Sequence, residues 1–264
     1  MTNQSFLFDC QNQTYIMRIA GAGTDRLINR RQEYEVYQTI APLHLSDDIV
    51  YIDPANGYKI SRYLQKSRVC NAKDASDVSR CMQTLRTFHN QNLMVGHTFD
   101  IWRQINFYES LWNKKTSVFG DYASTKERAS QLKQYIDTQK KHWTLAHIDA
   151  VPDNFLFTAE NEIRLIDWEY AGMQDACVDI AMFAIYAMYG RKDVEMLIDA
   201  YYTEGCTLNV RLKIYAYIAL CGLLWSNWCE YKRQLGIKFG GYAVRQNEYA
   251  KEYYEIFQTE RKRI

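Results

Sequence analysis

The stretch "LAHIDAVPDNFLF", Leu145 to Phe157, and the "LIDWEYAG" that follows it, Leu165 to Gly172, restrict the fold of this chain more than any other part. A histidine, two aspartates and an asparagine interrupt a mostly apolar run, and Pro152, which has no N–H to give, blocks any helix beginning there. The segment between is therefore a loop. After it, "NFLF" and "EIRLID" are two strand-like runs around the turn "TAEN". The spacing predicts a loop, then a hairpin that folds Asp167 back toward Asn154.

The first sixty-odd residues change character quickly. "SFLFDC" and "TYIMRIAG", separated by "QNQ", predict one hairpin, and "DIVYIDPANGYKISRYL" predicts a second around "PANG". Between them "INRRQEYEVYQTIAPLHL" carries helical spacing. From Ser76 onward the periods lengthen. "DVSRCMQTLRTFHNQ", "DIWRQINFYESLW" and "TKERASQLKQYIDTQK" read as helices, with "KDASD" and "STKE" offering N-caps. "IYAYIALCGLLWSNW", Ile214 to Trp228, is broken by Ser226 and Asn227, falls short of the roughly 20 residues of a membrane span, and reads as a buried helix. The expected division is a β-rich lobe, 1–65, joined through "KISRYLQKS" to a helical lobe, 66–264. Three prolines in 264 residues fit a largely helical body.

Charge excludes some partners. Lys plus Arg number 32 and Asp plus Glu 31, so no overall field draws the chain to nucleic acid or an anionic membrane, and no obligatory protein partner is implied. Seven scattered cysteines, without metal-ligand spacing or a secretory leader, read as reduced thiols in cytoplasm.

The pattern H-x-D-x-x-x-x-N, with an aspartate returning after a hairpin, supplies the parts that phosphoryl transfer from ATP requires. An acid orients and deprotonates a hydroxyl, while an amide and a carboxylate hold magnesium against the phosphates. A lone His147 without a second nitrogen or sulfur ligand does not suit zinc. "HIDAVPDNFLF" and "IDWEYAGMQDACVDIA" resemble the catalytic loop and metal-binding segment of the choline and ethanolamine kinases, within the aminoglycoside-phosphotransferase-like kinases, and most of all the bacterial LicA-type choline kinases. The resemblance covers essentially the whole chain. It implies an α+β, bilobal protein-kinase-like fold with a small antiparallel sheet and a larger helical lobe. It also implies Asp149 as catalytic base, Asn154 and Asp167 as Mg2+ ligands, and His147 and Asp179 as structural residues.

On the nucleotide side the resemblance implies that Arg18 contacts the phosphates of ATP and pairs with Glu33. "GAGTDR" lacks the order of a phosphate loop and is expected to be a turn. The family's Gly-Gly-x-Thr-Asn loop is matched only at its end by "MTNQSF", which carries over Asn3 and Gln4 and implies a sheet lacking its first strand. Backbone groups of Ser61, Arg62 and Tyr63 are expected to bond the adenine edge.

A trimethylammonium cannot donate conventional hydrogen bonds, so its recognition needs aromatic faces and a carboxylate. Trp225 and Trp228 share a helix face, and with Tyr242, Glu169 and Tyr170 they resemble the choline site of the family; Tyr186 and Tyr249 are further candidates. The expectation is a cytoplasmic choline kinase. Its rivals are a kinase for ethanolamine, thiamine or an aminoglycoside, and a choline-binding protein that has lost catalysis.

Overall fold

The computed structural model describes residues 3–21, 24, 27–112 and 116–263. It contains two compact units, one made of residues 1–98 with 144–173 and the other of 99–143 with 174–264. This partition differs from a cut at residue 65. The short strands that follow residue 66 and those of the Asp167 hairpin pair with one another, which places both in the first unit.

In the first unit β1 (Asn3–Cys10) and β2 (Gln13–Ala20) form the expected hairpin. Gln11 and Asn12 both adopt positive φ, as a two-residue turn between right-twisted strands requires. β2 pairs with β4 (Lys59–Arg62), and β4 with β3 (Ile49–Ile52), giving an antiparallel sheet of order β1-β2-β4-β3. Helix α1 (Arg30–Ile40) starts at Asn29, whose side chain accepts from the amides of Arg31 and Gln32. It is shorter than the periodic stretch because Pro42 cannot continue the ladder, and Ala41–Leu43 close it as a 3-10 turn. Of the expected turn "GAGTDR", Ala22, Gly23, Asp25 and Arg26 lie outside the described residues, while Thr24 bonds back to Gly21.

The same unit holds β5 (Arg68–Val69), α2 (Ala75–His89), capped by Asp74 as "KDASD" predicts, and the hairpin β7 (Phe155–Phe157) with β8 (Ile163–Leu165), in the order β5-β7-β8. β6 (Trp143–Ala146), which leads into the loop that begins at His147, pairs with β9 (Gly172–Asp175).

The second unit is helical. α3 (Ile101–Ser110), α4 (Tyr122–Thr138), α5 (Cys177–Tyr186) and α8 (Gly241–Arg261) pack against α7 (Leu208–Gln234), and α6 (Arg191–Tyr201) packs on α5. α4 begins before "STKE": the helix starts at Tyr122, and Ser124 and Thr125 bond back to the Asp121 carbonyl from inside its first turn. α7 contains the expected apolar run. Among the described residues it is the one helix long and apolar enough to cross a membrane, and 78% of its most apolar window is buried inside the protein. All seven cysteines are free thiols.

Candidate active site

The loop from His147 to Asn154 is built by the strand before it and the hairpin after it. β6 delivers His147, whose Nε2 meets the Ile166 carbonyl at 2.9 Å and whose ring packs edge-on against Trp168, centroids 4.5 Å apart. Trp168 in turn donates to the Leu165 carbonyl and packs on Phe88. The rings of His147, Trp168 and Phe88 are buried, and these contacts fix the loop to the segment that carries Asp167. Pro152–Asn154 form a single 3-10 turn, and the Ile166 amide donates to the Asn154 carbonyl at 2.9 Å. The hairpin thus returns Asp167 beside Asn154, as the spacing implies.

Two residues here have left-handed backbone: Ile148 at φ 68° and Asp167 at φ 66°. For a β-branched, fully buried isoleucine this conformation is an outlier, of the kind that costs about 1–3 kcal/mol and is held only by its surroundings. It immediately precedes Asp149. Asn154 holds the other side of that residue, donating to the Asp149 carbonyl at 2.9 Å and to its carboxylate at 3.4 Å.

The residues suit magnesium by their donor chemistry. With its nitrogen committed to Asp149, Asn154 has its amide oxygen to offer, and Asp167 follows the residue whose amide bonds the Asn154 carbonyl. Burial, Glu169 and Asp149 push the Asp167 carboxyl up to about 8, against the pull of Lys59 and Arg18. A cation bound beside this carboxyl would favour its charged form. Among the described residues no three His, Cys, Asp or Glu side chains form a metal cage. Magnesium does not call for one, since it takes one or two carboxylates and completes its shell with water and phosphate oxygens.

Arg18, on β2, meets Glu33 on α1 at 2.6 Å, and Asp167 lies 3.6 Å from the same nitrogen. Burial works against the Arg18 charge, but Glu33 outweighs it and the guanidinium is held more firmly protonated than usual. Asn3, at the start of β1, donates to Glu169 at 2.7 Å, whereas Gln4 is exposed. Glu169, expected at the acceptor, has its carboxylate engaged by Asn3 and by Arg30 at 3.1 Å, with 1% of its side chain exposed. Arg30 escaped the sequence reading altogether. Tyr170 is buried at the end of the same segment.

Ser61 and Arg62 sit within β4, and the amides of Arg62 and Tyr63 donate to the carbonyls of Asp48 and Thr14. Those two amides are paired within the protein, so of the backbone groups expected at the adenine edge they are not free donors.

In the helical unit the structure brings Trp225, Trp228, Tyr242 and Tyr186 into one cluster. Trp225 and Trp228 meet at 5.5 Å and 82°, Tyr186 packs on Trp225 at 5.6 Å, and Tyr242 lies 6.2 Å from Tyr186. Phe239, which sequence reasoning missed, completes the group 5.1 Å from Trp228. The Lys232 ammonium lies 5.5 Å from the Trp228 ring centroid, a cation held by an aromatic face. Tyr249 is elsewhere, donating to the Tyr189 carbonyl with Arg245 over its ring. Asp179 is fully buried in the first turn of α5.

Comparison with known proteins gives the family. LicA of Haemophilus influenzae is 28% identical over 261 residues, which covers 93% of this chain and 96% of that one. The crystal structure of choline kinase LicA from Streptococcus pneumoniae superimposes with a TM-score of 0.85 at 25% identity, over 96% of this chain and 89% of that chain. A structure of LicA in complex with AMP gives the same TM-score at 26% identity, over 97% and 89%. The profile of the choline/ethanolamine kinase family matches residues 1–204 of the 264, so the chain is a phosphotransferase that belongs to the choline/ethanolamine kinase family.

Proposed function

We propose that this protein transfers the γ-phosphoryl group of ATP to the hydroxyl of choline, giving phosphocholine and ADP, in the cytoplasm. The observation that carries the reading is the catalytic loop itself, in which Asn154 bonds Asp149 while the Ile166 amide bonds Asn154 and so keeps Asp167 alongside. Its similarity to LicA proteins supports choline as the acceptor. The five-ring cluster around Trp228 supports a cationic acceptor without N–H donors, because ring faces attract such a cation by about 0.5 to 2 kcal/mol each.

In this reading the N-terminal part through about residue 65 serves the nucleotide and the remainder supplies the catalytic loop and the acceptor site. Arg18, braced by Glu33, steadies the phosphates through hydrogen bonds to oxygen, a task suited to a guanidinium that stays charged. Asn154 and Asp167 would hold magnesium, which would supply positive charge to offset the charge that develops on the phosphates. Asp149 accepts a hydrogen bond from the choline hydroxyl, orients its oxygen in line with the γ-phosphorus, and takes the proton as the new P–O bond forms and the bond to ADP breaks. Trp225, Trp228, Tyr186, Phe239 and Tyr242 receive the trimethylammonium. His147 and Asp179 are structural.

The test is ADP release from Mg-ATP with choline, ethanolamine or no acceptor. Choline-dependent turnover exceeding that with ethanolamine is expected. Equal turnover with both would refute the choline assignment, and turnover with neither would refute the kinase reading for amino alcohols.

A further inference from the structure

We infer that Arg30 is a positioning residue for phosphoryl transfer, a clamp that fastens helix α1 to the segment carrying Asp167 by holding Glu33 and Glu169 on one guanidinium. One of its terminal nitrogens lies 3.0 Å from Glu33 and 3.1 Å from Glu169, and the other lies 3.0 Å from the Asn3 side-chain oxygen. Asn3 closes the ring by donating to the same Glu169 oxygen at 2.7 Å. The side chains of Arg30, Glu33 and Glu169 are 6%, 0% and 1% exposed, so solvent does not screen these contacts.

Geometry separates the work of the two arginines. Arg18 shares Glu33 with Arg30 but lies farther from Glu169, at 3.7 Å, and reaches Asp167 at 3.6 Å. Arg30 has both terminal nitrogens committed to protein oxygens, so it has no fork to offer a phosphate; its effect on the reaction runs through its partners. Without it, Glu169 would lose the nearer of its two arginines and Glu33 one of the two that meet it, leaving Arg18 as the guanidinium that both carboxylates share. Arg18 would be drawn toward Glu169, and the Glu169 segment, two residues from Asp167, would shift.

A further contact agrees with a dedicated arrangement. Gly57, in the turn between β3 and β4, has φ 74°, and a Cβ there would come within 2.5 Å of the Arg30 Cδ and Nε. Its carbonyl accepts from Arg18 at 3.4 Å. The turn makes room for one arginine and supports the other.

The inference rests on the proposed roles of Arg18 and Asp167, and the test keeps the two apart by reading nucleotide binding without metal or acceptor as well as turnover. Binding of a fluorescent ADP analogue in EDTA, kcat, KM for ATP and for choline, and melting temperature would be measured for the wild type, Arg30→Met, Arg30→Lys, Glu169→Gln and the Arg30→Met/Glu169→Gln double variant. The clamp predicts that Arg30→Met weakens the ADP analogue about tenfold, raises the KM for ATP by a similar factor and lowers kcat at least tenfold. The choline KM should stay within twofold. Arg30→Lys should recover little, since one ammonium cannot hold three partners in fork geometry, and the double variant should be no worse than Arg30→Met. A merely structural role would lower the melting temperature while leaving nucleotide affinity and kcat of the folded enzyme within twofold, and that result would overturn the inference. So would penalties from Arg30→Met and Glu169→Gln that multiply in the double variant. If Arg30→Met does not fold, the isosteric Glu169→Gln carries the same decision on nucleotide affinity. Wild type that binds the analogue but phosphorylates no amino alcohol would refute the proposed function alone, and the binding series would still judge the clamp.

Discussion

The side-chain nitrogen of Asn154 lies 2.9 Å from the main-chain oxygen of Asp149 and 3.4 Å from its carboxylate, so the amide proposed as a metal ligand also braces the residue proposed as the base. Asp149→Ala removes the proton acceptor and should lower kcat by about 10² to 10⁴, the range for a positioned acid or base, with choline binding kept. Asn154→Ala removes the brace as well and should lower kcat while raising the magnesium concentration needed for half activity. Turnover kinetics across a magnesium series check both. An Asp149→Ala enzyme with most of its activity would show that the base has been wrongly assigned.

Trp228 has its ring in contact with Trp225 and Phe239 and is 9% exposed, whereas Trp225 is 3% exposed and bonds Met182 through its indole nitrogen. Replacing Trp225 therefore mixes binding with packing. Trp228→Leu keeps apolar volume and deletes the π face. Loss of a contact worth about 0.5–2 kcal/mol should raise the choline KM by roughly twofold to thirtyfold, with the KM for ATP unchanged. Steady-state kinetics with each substrate varied in turn decide the matter; an unchanged choline KM would remove Trp228 from the acceptor site.

The parts legible in the sequence were those whose signal is local. Pro152, the turn before Asn161 and two short β-like runs suffice to bring Asp167 back toward Asn154, and Asp74 caps α2 where its side chain can reach the first amides. Arg30 and Glu169 meet across 139 residues, so no period or spacing announces the pair, and Glu169 was read with its chain neighbour Tyr170 instead. Phe239 lies in a short loop without periodicity and joins the cluster only through the packing of Trp228. The left-handed Ile148 was invisible for a further reason: its residue type argues against the conformation that its surroundings impose. Which backbone groups of Ser61, Arg62 and Tyr63 are already paired could not be read, because a strand's partners cannot be counted from one strand alone.

At Gly222 the backbone of α7 lies close against α8. A Cβ there would lie 2.7 Å from the Gln246 carbonyl oxygen and 2.7 Å from the Tyr249 Cβ, atoms that cannot rotate away. Gly222→Ala gains about 1 kcal/mol of helix propensity and meets overpacking of about 1–3 kcal/mol, so the clash should prevail. The variant should melt several degrees below the wild type and retain its KM for both substrates at low temperature. Calorimetry with kinetics checks this, and a melting temperature at or above that of the wild type would mean that α8 can shift at little cost.

Glu33 gives the site a defined response to acid. Burial pushes its carboxyl up, but Arg18, Lys59 and Arg30 together outweigh burial and hold it below the ordinary value of 4.5. The unfolded chain therefore binds this proton at a higher pH than the native protein does, and stability rises with pH across that window. The contribution of Glu33 is fully present above about pH 4.5 and is lost as pH falls through its depressed native value. Other carboxylates titrate nearby, so the informative quantity is the difference between wild type and Glu33→Gln. Urea midpoints at pH 7 should favour the wild type, because the neutral amide leaves Arg18 and Arg30 short of a buried counter-charge, and this advantage should shrink toward pH 3. An advantage that stays constant across the range would show that the Arg18–Glu33 contact stabilises through packing and hydrogen bonding, without the charge on Glu33.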